Sequence, residues 1–228
     1  MAAFTSCDEV LKRRRACDVL CVSLGANPMR PIVIAAIFGL AVVSPAAADV
    51  SASVSVKART VTYSISGKDG NALLDAMDRR GPKHGFLTRA IAQTSYTVSW
   101  TVDWKEQAGA CRVTNADATL SITYTYPQVK GTMPPNLQRR WVRFIAGVRK
   151  HEETHGQLAR QMVGAAEKSL KDISYATDPR CRKTKAELKK RIALIYAKYE
   201  ARQIEFDRVE HGEGGNVERL VTLLGKGK

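Results

Sequence analysis

Residues 134–170, PPNLQRRWVRFIAGVRKHEETHGQLARQMVGAAEKSL, decide how this chain folds and where its chemistry sits. Pro134-Pro135-Asn136 stops what precedes it and starts a helix, with Asn136 the expected N-cap. From Leu137 the apolar residues Trp141, Phe144, Ile145, Val148, Leu158, Met162, Ala166 and Leu170 recur at three- to four-residue steps, the period of one helical face. The stripe is interrupted between Val148 and Leu158, where His151, Glu152 and His155 take its positions. These polar side chains therefore point where the core should be.

His151-Glu152-Glu153-Thr154-His155 reads HExxH. Residues i and i+4 of a helix lie one above the other, so both imidazoles can bind one Zn²⁺. The glutamate after the first histidine then reaches the metal-bound water as general base, which assigns Glu152 the catalytic role. Glu153 falls outside the stripe and is expected in solvent. A catalytic zinc takes three protein donors and leaves one position open. The extension HExxHxxGxxH is absent, because Leu158 and Gln161 stand where its glycine and last histidine would be. The third ligand must come from another part of the chain.

Asp178-Pro179 breaks the helix, and a second helix is expected over residues 184–210, with Leu188, Ile192, Ile195, Tyr199 and Phe206 as its buried seam. Tyr196 and Tyr199 belong to the core rather than to any catalysis. A short link makes the two helices an antiparallel hairpin, which Gly212, Gly214 and Gly215 end. At 1.5 Å per residue, the stretch back from the turn near Asp172 to Glu153 is about 28 Å, and the same distance along the returning helix reaches Arg202 and Gln203. Asp207 lies one turn further and His211 two. The hairpin register favours Asp207 as third ligand, while ligand chemistry and the following glycine turn favour His211. Both stay candidates, and one could ligate while the other orients a histidine.

Upstream the texture is β. Residues 51–65 alternate through Val54, Val56, Val61, Tyr63 and Ile65, and residues 71–80 read as a short helix closed by Gly81-Pro82. Tyr96, Val98, Trp100, Val102 and Trp104 line one face of a strand at 94–104, with Ser and Thr opposite. Leu120, Ile122, Tyr124 and Tyr126 do the same at 118–126. His84, beside Gly85 in an expected loop, reads as a surface residue; a role as oxyanion donor is the minor alternative. The pattern predicts an α+β fold: an antiparallel β-sheet over residues 49–130, covered on one side, packed against a helical pair at 134–211 that carries HExxH. A chain of 228 residues has enough apolar content for one such domain, 49–228.

The first 48 residues read as a signal. Residues 32–43, IVIAAIFGLAVV, are too short to span a bilayer, follow Arg30, and run into Ser44-Pro45-Ala46-Ala47-Ala48, which places cleavage between Ala48 and Asp49. Met29-Arg30-Pro31 is itself the basic opening of such a signal, so residues 1–28 read as an extension upstream of a true start at Met29. The expected location is secreted or periplasmic, with no transmembrane span after cleavage. Cys7, Cys17 and Cys21 are then lost, and the remaining Cys111 and Cys181 read as one disulfide in an oxidising compartment. The formal charge is +14, and +12 after the signal is removed. This suits an anionic envelope surface. No aromatic-interleaved basic repeat is present, so specific nucleic-acid binding is not expected.

Several pieces carry a family resemblance: Tyr63-Ser64-Ile65-Ser66-Gly67, Gly81-Pro82, the aromatic strand ending in Trp100, Cys111 with Val113, Arg140-Trp141 with Phe144, and His151-Glu152 to His155-Gly156. A last piece is Phe206-Asp207-Arg208-Val209-Glu210-His211-Gly212. From Val61 to His211 the chain resembles a bacterial family of unknown function described as predicted secreted Zn-dependent proteases. It departs from that family's closing Tyr-Asp-x-x-Thr-x-His-Gly at Phe206 and Val209. The resemblance implies a zincin-like activity on a peptide or protein substrate. The expectation is therefore an exported zinc metallopeptidase. The alternative is a basic envelope-binding or structural protein with a vestigial or structural metal site.

Overall fold

The computed structural model describes residues 51–84 and 88–226. The expected signal segment, its expected cleavage point and the expected start at Met29 lie outside the described residues. The element order is β1 (Ser51–Ile65), α1 (Gly70–Arg80), β2 (Lys83–His84), β3 (Thr88–Arg89), β4 (Gln93–Gln107), β5 (Ala110–Val129), α2 (Pro135–Ser169), β6 (Ser174–Tyr175), α3 (Arg182–His211) and α4 (Asn216–Gly225). His84, expected in a loop, thus belongs to a two-residue strand.

The sheet is mixed, which corrects the antiparallel expectation. β5 is the central strand, with β4 antiparallel on one side and β1 parallel on the other, from Ser51 opposite Asn115 to Ile65 opposite Val129. Alternation reports which face a side chain takes, but strand direction is set by the connections. Here α1 and the β2–β3 ladder carry the chain past β1, so β4 and β5 form their own hairpin and only β5 meets β1. Ala108 and Gly109 make the hairpin's two-residue turn, both with positive φ (50° and 78°), between the paired Gln107 and Ala110. Both strands outrun their expected bounds, because residues 105–107 and 110–117 pair as well, with Val113 and Ala116 turned into the core. β6 extends the sheet beyond the first residue of β1, which pairs at Asn115, and lies opposite Cys111 and Arg112.

One face of the sheet is apolar. Trp100, Val102, Leu120, Ile122, Tyr124 and Tyr126 are buried there, while Ser95, Thr97, Ser99 and Thr101 face solvent. α2 lies on that face through Leu137, Trp141, Phe144, Val148, Ala159, Met162 and Val163. Burying a side chain such as Phe144, 1 % exposed, contributes about 1.5–3 kcal/mol. The helix starts two residues earlier than the Asn136 cap predicts. Pro134 is the capping residue and Pro135 occupies the first position, where its missing N–H costs nothing. The Asn136 side chain instead accepts from Leu137 N–H at 2.7 Å.

α3 returns antiparallel to α2. Arg191 donates to Ser169 O at 2.7 Å, and Gln203 to His155 O at 3.3 Å. Between the helices, Asp178 accepts from the N–H groups of Lys183 and Thr184 and from the Thr184 hydroxyl, each at 2.8 Å, and so satisfies the first turn of α3. Cys111 and Cys181 are bonded, Cα–Cα 5.3 Å, pinning that turn to the start of β5. The tail beyond Gly215, too short to be assigned from sequence, forms α4, with Val217, Leu220, Val221 and Leu224 at the helical period. Its Val217 and Leu224 are buried, and it packs on α1, α2 and α3. Among the described residues no helix is long and apolar enough to cross a membrane.

Candidate metal centre

The middle of α2 carries His151, Glu152 and His155, and the last third of α3 faces it. His151 and Glu152 are buried, His155 half-buried and Glu153 exposed. Across from them stand Gln203, Phe206, Asp207 and Glu210, at three- and four-residue steps on one face of α3. His211 follows at its exposed end.

Three donor atoms converge. Asp207 Oδ1 is 2.8 Å from His155 Nε2 and 3.3 Å from His151 Nε2, and the two Nε2 atoms are 3.2 Å apart. His211 belongs to the same neighbourhood: ligand atoms of His151, Asp207 and His211 lie within 4.8 Å of one another. The structure thus brings all four sequence-nominated metal residues together, with Asp207 in direct contact with both motif histidines and His211 further out. Phe206 stacks on His151, ring centroids 4.8 Å apart, and walls the site on that side.

The far edge of each motif histidine differs. His155 Nδ1 pairs with Gln203 Oε1, which completes that ring. His151 Nδ1 is buried with no hydrogen-bond partner among the described residues, and Glu210 Oε2 is 3.6 Å away. Glu152 turns toward the sheet, where Thr94 Oγ1 on β4 lies 2.7 Å from its Oε2 and 2.9 Å from its backbone oxygen.

The charges follow from this packing. Burial opposes ionisation of Asp207, but the bonds from His151 and His155 outweigh it and hold the carboxyl well below the usual carboxylate range. Burial also works against the charged form of His155, and its bonds to Asp207 and Gln203 reverse the balance and push its pKa up. Glu152 is raised, chiefly by burial, with the Thr94 bond pulling the other way. His211 is lowered by burial and by its neighbour His151.

The donor set fits a zinc ion. Nitrogen and oxygen ligands at about 2.0–2.1 Å in tetrahedral arrangement stand about 3.3 Å apart, close to the three separations here. As a hydrogen-bond set the triangle is incomplete. Asp207 Oδ1 can accept from both rings, yet two imidazole nitrogens that both donate to it have nothing to offer each other at 3.2 Å. A cation at this point would replace the protons and satisfy all three atoms at once.

Residues 60–215 match the model of a family described as bacterial protein of unknown function (DUF922). The chain belongs to this family. No curated protein and no solved structure matches it. The DUF922 match contains Thr94, the HExxH segment and the whole facing stripe of α3, and stops at Gly215, one residue before α4. The description of the matched model names no activity, so the zinc-protease description that came with the resemblance is not part of this match.

Sequence reasoning passed over Thr94, Gln203 and Glu210. For two of them a signal existed: the α3 seam Leu188, Ile192, Ile195, Tyr199 continues in period to Gln203, Phe206 or Asp207, and Glu210. Polar residues on the inward positions of a helix mark a site as surely as the gap in the α2 stripe does. Thr94 carried none, since a threonine beginning a strand is ordinary.

Proposed function

We propose that this DUF922 protein is an exported, zinc-dependent peptidase that hydrolyses peptide bonds in a peptide or protein substrate. The observation that carries the reading is the triangle of His151 Nε2, His155 Nε2 and Asp207 Oδ1, closed by side chains from two antiparallel helices. His151, His155 and Asp207 would hold the metal, with His211 the alternative to Asp207. Zinc bound there supplies a Lewis acid and a water acidified toward neutral pH.

The chain's own residues supply the rest. Glu152 takes up a proton at its carboxylate as general base and returns it to the leaving amine as general acid. Burial places its pKa above the ordinary carboxylate value, toward the range where both transfers run. Thr94 fixes the orientation of that carboxylate. Gln203 sets the His155 ring by accepting at Nδ1, which directs Nε2 to the metal. The Cys111–Cys181 disulfide agrees with an oxidising compartment.

The test is zinc content by elemental analysis together with hydrolysis of a mixed peptide library. Wild type should hold one zinc per chain and cleave. Glu152→Gln should keep the zinc and lose activity by on the order of 10²–10⁴-fold, and Asp207→Ala should lose the metal where His211→Ala keeps it. Full activity in Glu152→Gln would remove the proposed base. A zinc-free, inactive wild type would leave the basic chain, +12 without its signal, as an envelope-binding protein.

A further inference from the structure

We propose that Glu210 is a positioning residue: it accepts the Nδ1 proton of His151, leaving Nε2 for the metal, and Asn216 at the start of α4 holds it in place. The inference rests on the zinc reading above. A histidine that ligates through Nε2 carries its proton on Nδ1. His151 is 7 % exposed, and its Nδ1 lacks a partner among the described residues. A buried polar atom of this kind calls for an acceptor.

Glu210 stands where that acceptor belongs. Its Oε2 is 3.6 Å from His151 Nδ1, while its Oε1 accepts from Asn216 Nδ2 at 2.6 Å. Apo sites commonly show such bonds long, and they tighten when the site fills. A cavity of about 300 Å³, lined in part by His151, Phe206, Glu210, Asn216 and Leu220, leaves the carboxylate room to close the gap. His155 shows the finished version, with its Nδ1 on Gln203 Oε1 and the Gln203 amide donating back to His155 O. The two ligand rings are thus braced from α3 by the same device, one by a glutamine and one by a glutamate. The second brace reaches beyond the DUF922 match into α4.

The experiment measures Zn²⁺ affinity of the purified chain by competition with a chromophoric chelator, alongside the His151 ring ¹⁵N signals of the zinc-loaded protein. Glu210→Ala should weaken zinc binding about 10- to 100-fold and expose the His151 Nδ1 proton to rapid exchange. Glu210→Gln keeps an acceptor oxygen and should recover most of the affinity. Asn216→Ala should fall between. Wild-type affinity in Glu210→Ala overturns the proposal, as does a loss that Glu210→Gln leaves unrestored, which marks a packing role. If wild type itself binds no zinc, the peptidase reading falls and takes this one with it. A zinc-binding wild type with an indifferent Glu210→Ala sinks this one alone.

Discussion

Gly156 follows His155 on α2 with its backbone against the Tyr124 ring on β5, and replacing it with alanine tests how tightly the sheet sets the proposed metal ligands. A Cβ at 156 would overlap Tyr124 Oη and lie 2.9 Å from Cζ and 3.2 Å from Cε1. Tyr124 cannot easily yield: it is 8 % exposed, lies parallel to Tyr126 with centroids 6.2 Å apart, and has Arg160 Nη1 3.4 Å from its hydroxyl. Either the ring is displaced or α2 lifts from the sheet. Overpacking of this kind costs about 1–3 kcal/mol, which for a chain of this size lowers Tm by roughly 5 °C. A lift of α2 also moves His155 Nε2 relative to Asp207 Oδ1, now 2.8 Å away, so zinc affinity should fall by about tenfold, equivalent to roughly 1.4 kcal/mol. Tyr124→Phe deletes only the overlapping oxygen. The Gly156→Ala/Tyr124→Phe pair should therefore recover much of both losses, with a coupling of about 1 kcal/mol in a double-mutant cycle. Thermal unfolding by circular dichroism and a zinc competition titration read the two effects. An unchanged Tm and affinity in Gly156→Ala, or no coupling to Tyr124→Phe, would refute the reasoning.

Thr94→Val removes the bond that pulls the Glu152 carboxyl down against its burial, so its pKa rises further. A general base acts only when ionised, and the acid limb of the kcat/KM profile should move to higher pH while the alkaline limb stays; an unmoved acid limb counts against Glu152 as the base. Reducing the Cys111–Cys181 bond, which closes a loop of 70 residues, should lower stability by about 4 kcal/mol, read from urea midpoints of the oxidised and reduced chain. Asp178→Ala takes three acceptor contacts from the first turn of α3. Burial opposes the charge on Asp178, but the bonds from Thr184 and Lys183 hold its pKa below the ordinary 3.8. Its contribution is therefore complete above that value and is lost as pH falls through the lower folded one, so wild type and variant should differ clearly at pH 7 and converge in strong acid. Equal Tm values at pH 7 would remove the capping role.

The helical half was legible because its signals are local. The α2 stripe has one period from Leu137 to Leu170, and the interruption at His151, Glu152 and His155 shows where the core-facing side becomes polar. Hairpin arithmetic also worked, since two straight helices share one rise per residue. Glu153 was placed level with Arg202 and Gln203, and Gln203 does touch His155. The β half was legible in its faces but not in its directions. Tyr96, Val98 and Trp100 announce an inward side, yet nothing in their spacing states that β1 runs parallel to β5. α4 was missed although Val217, Leu220, Val221 and Leu224 recur at the helical period, because a segment of 10 residues holds fewer than three full turns, and its burial comes from neighbours it meets only in the folded chain.

Residue order alone determined a long amphipathic helix, two histidines and a glutamate on its buried side, and a returning helix with donors near the right height. Each of these depends on fixed backbone repeats. Folding in three dimensions decided the rest: that Asp207 meets both imidazoles while His211 stands off, that Thr94 from a distant strand orients Glu152, and that Glu210 faces the open nitrogen of His151. Those relations are set by how helices rotate and lean on the sheet, a matter of packing that no one-dimensional spacing records.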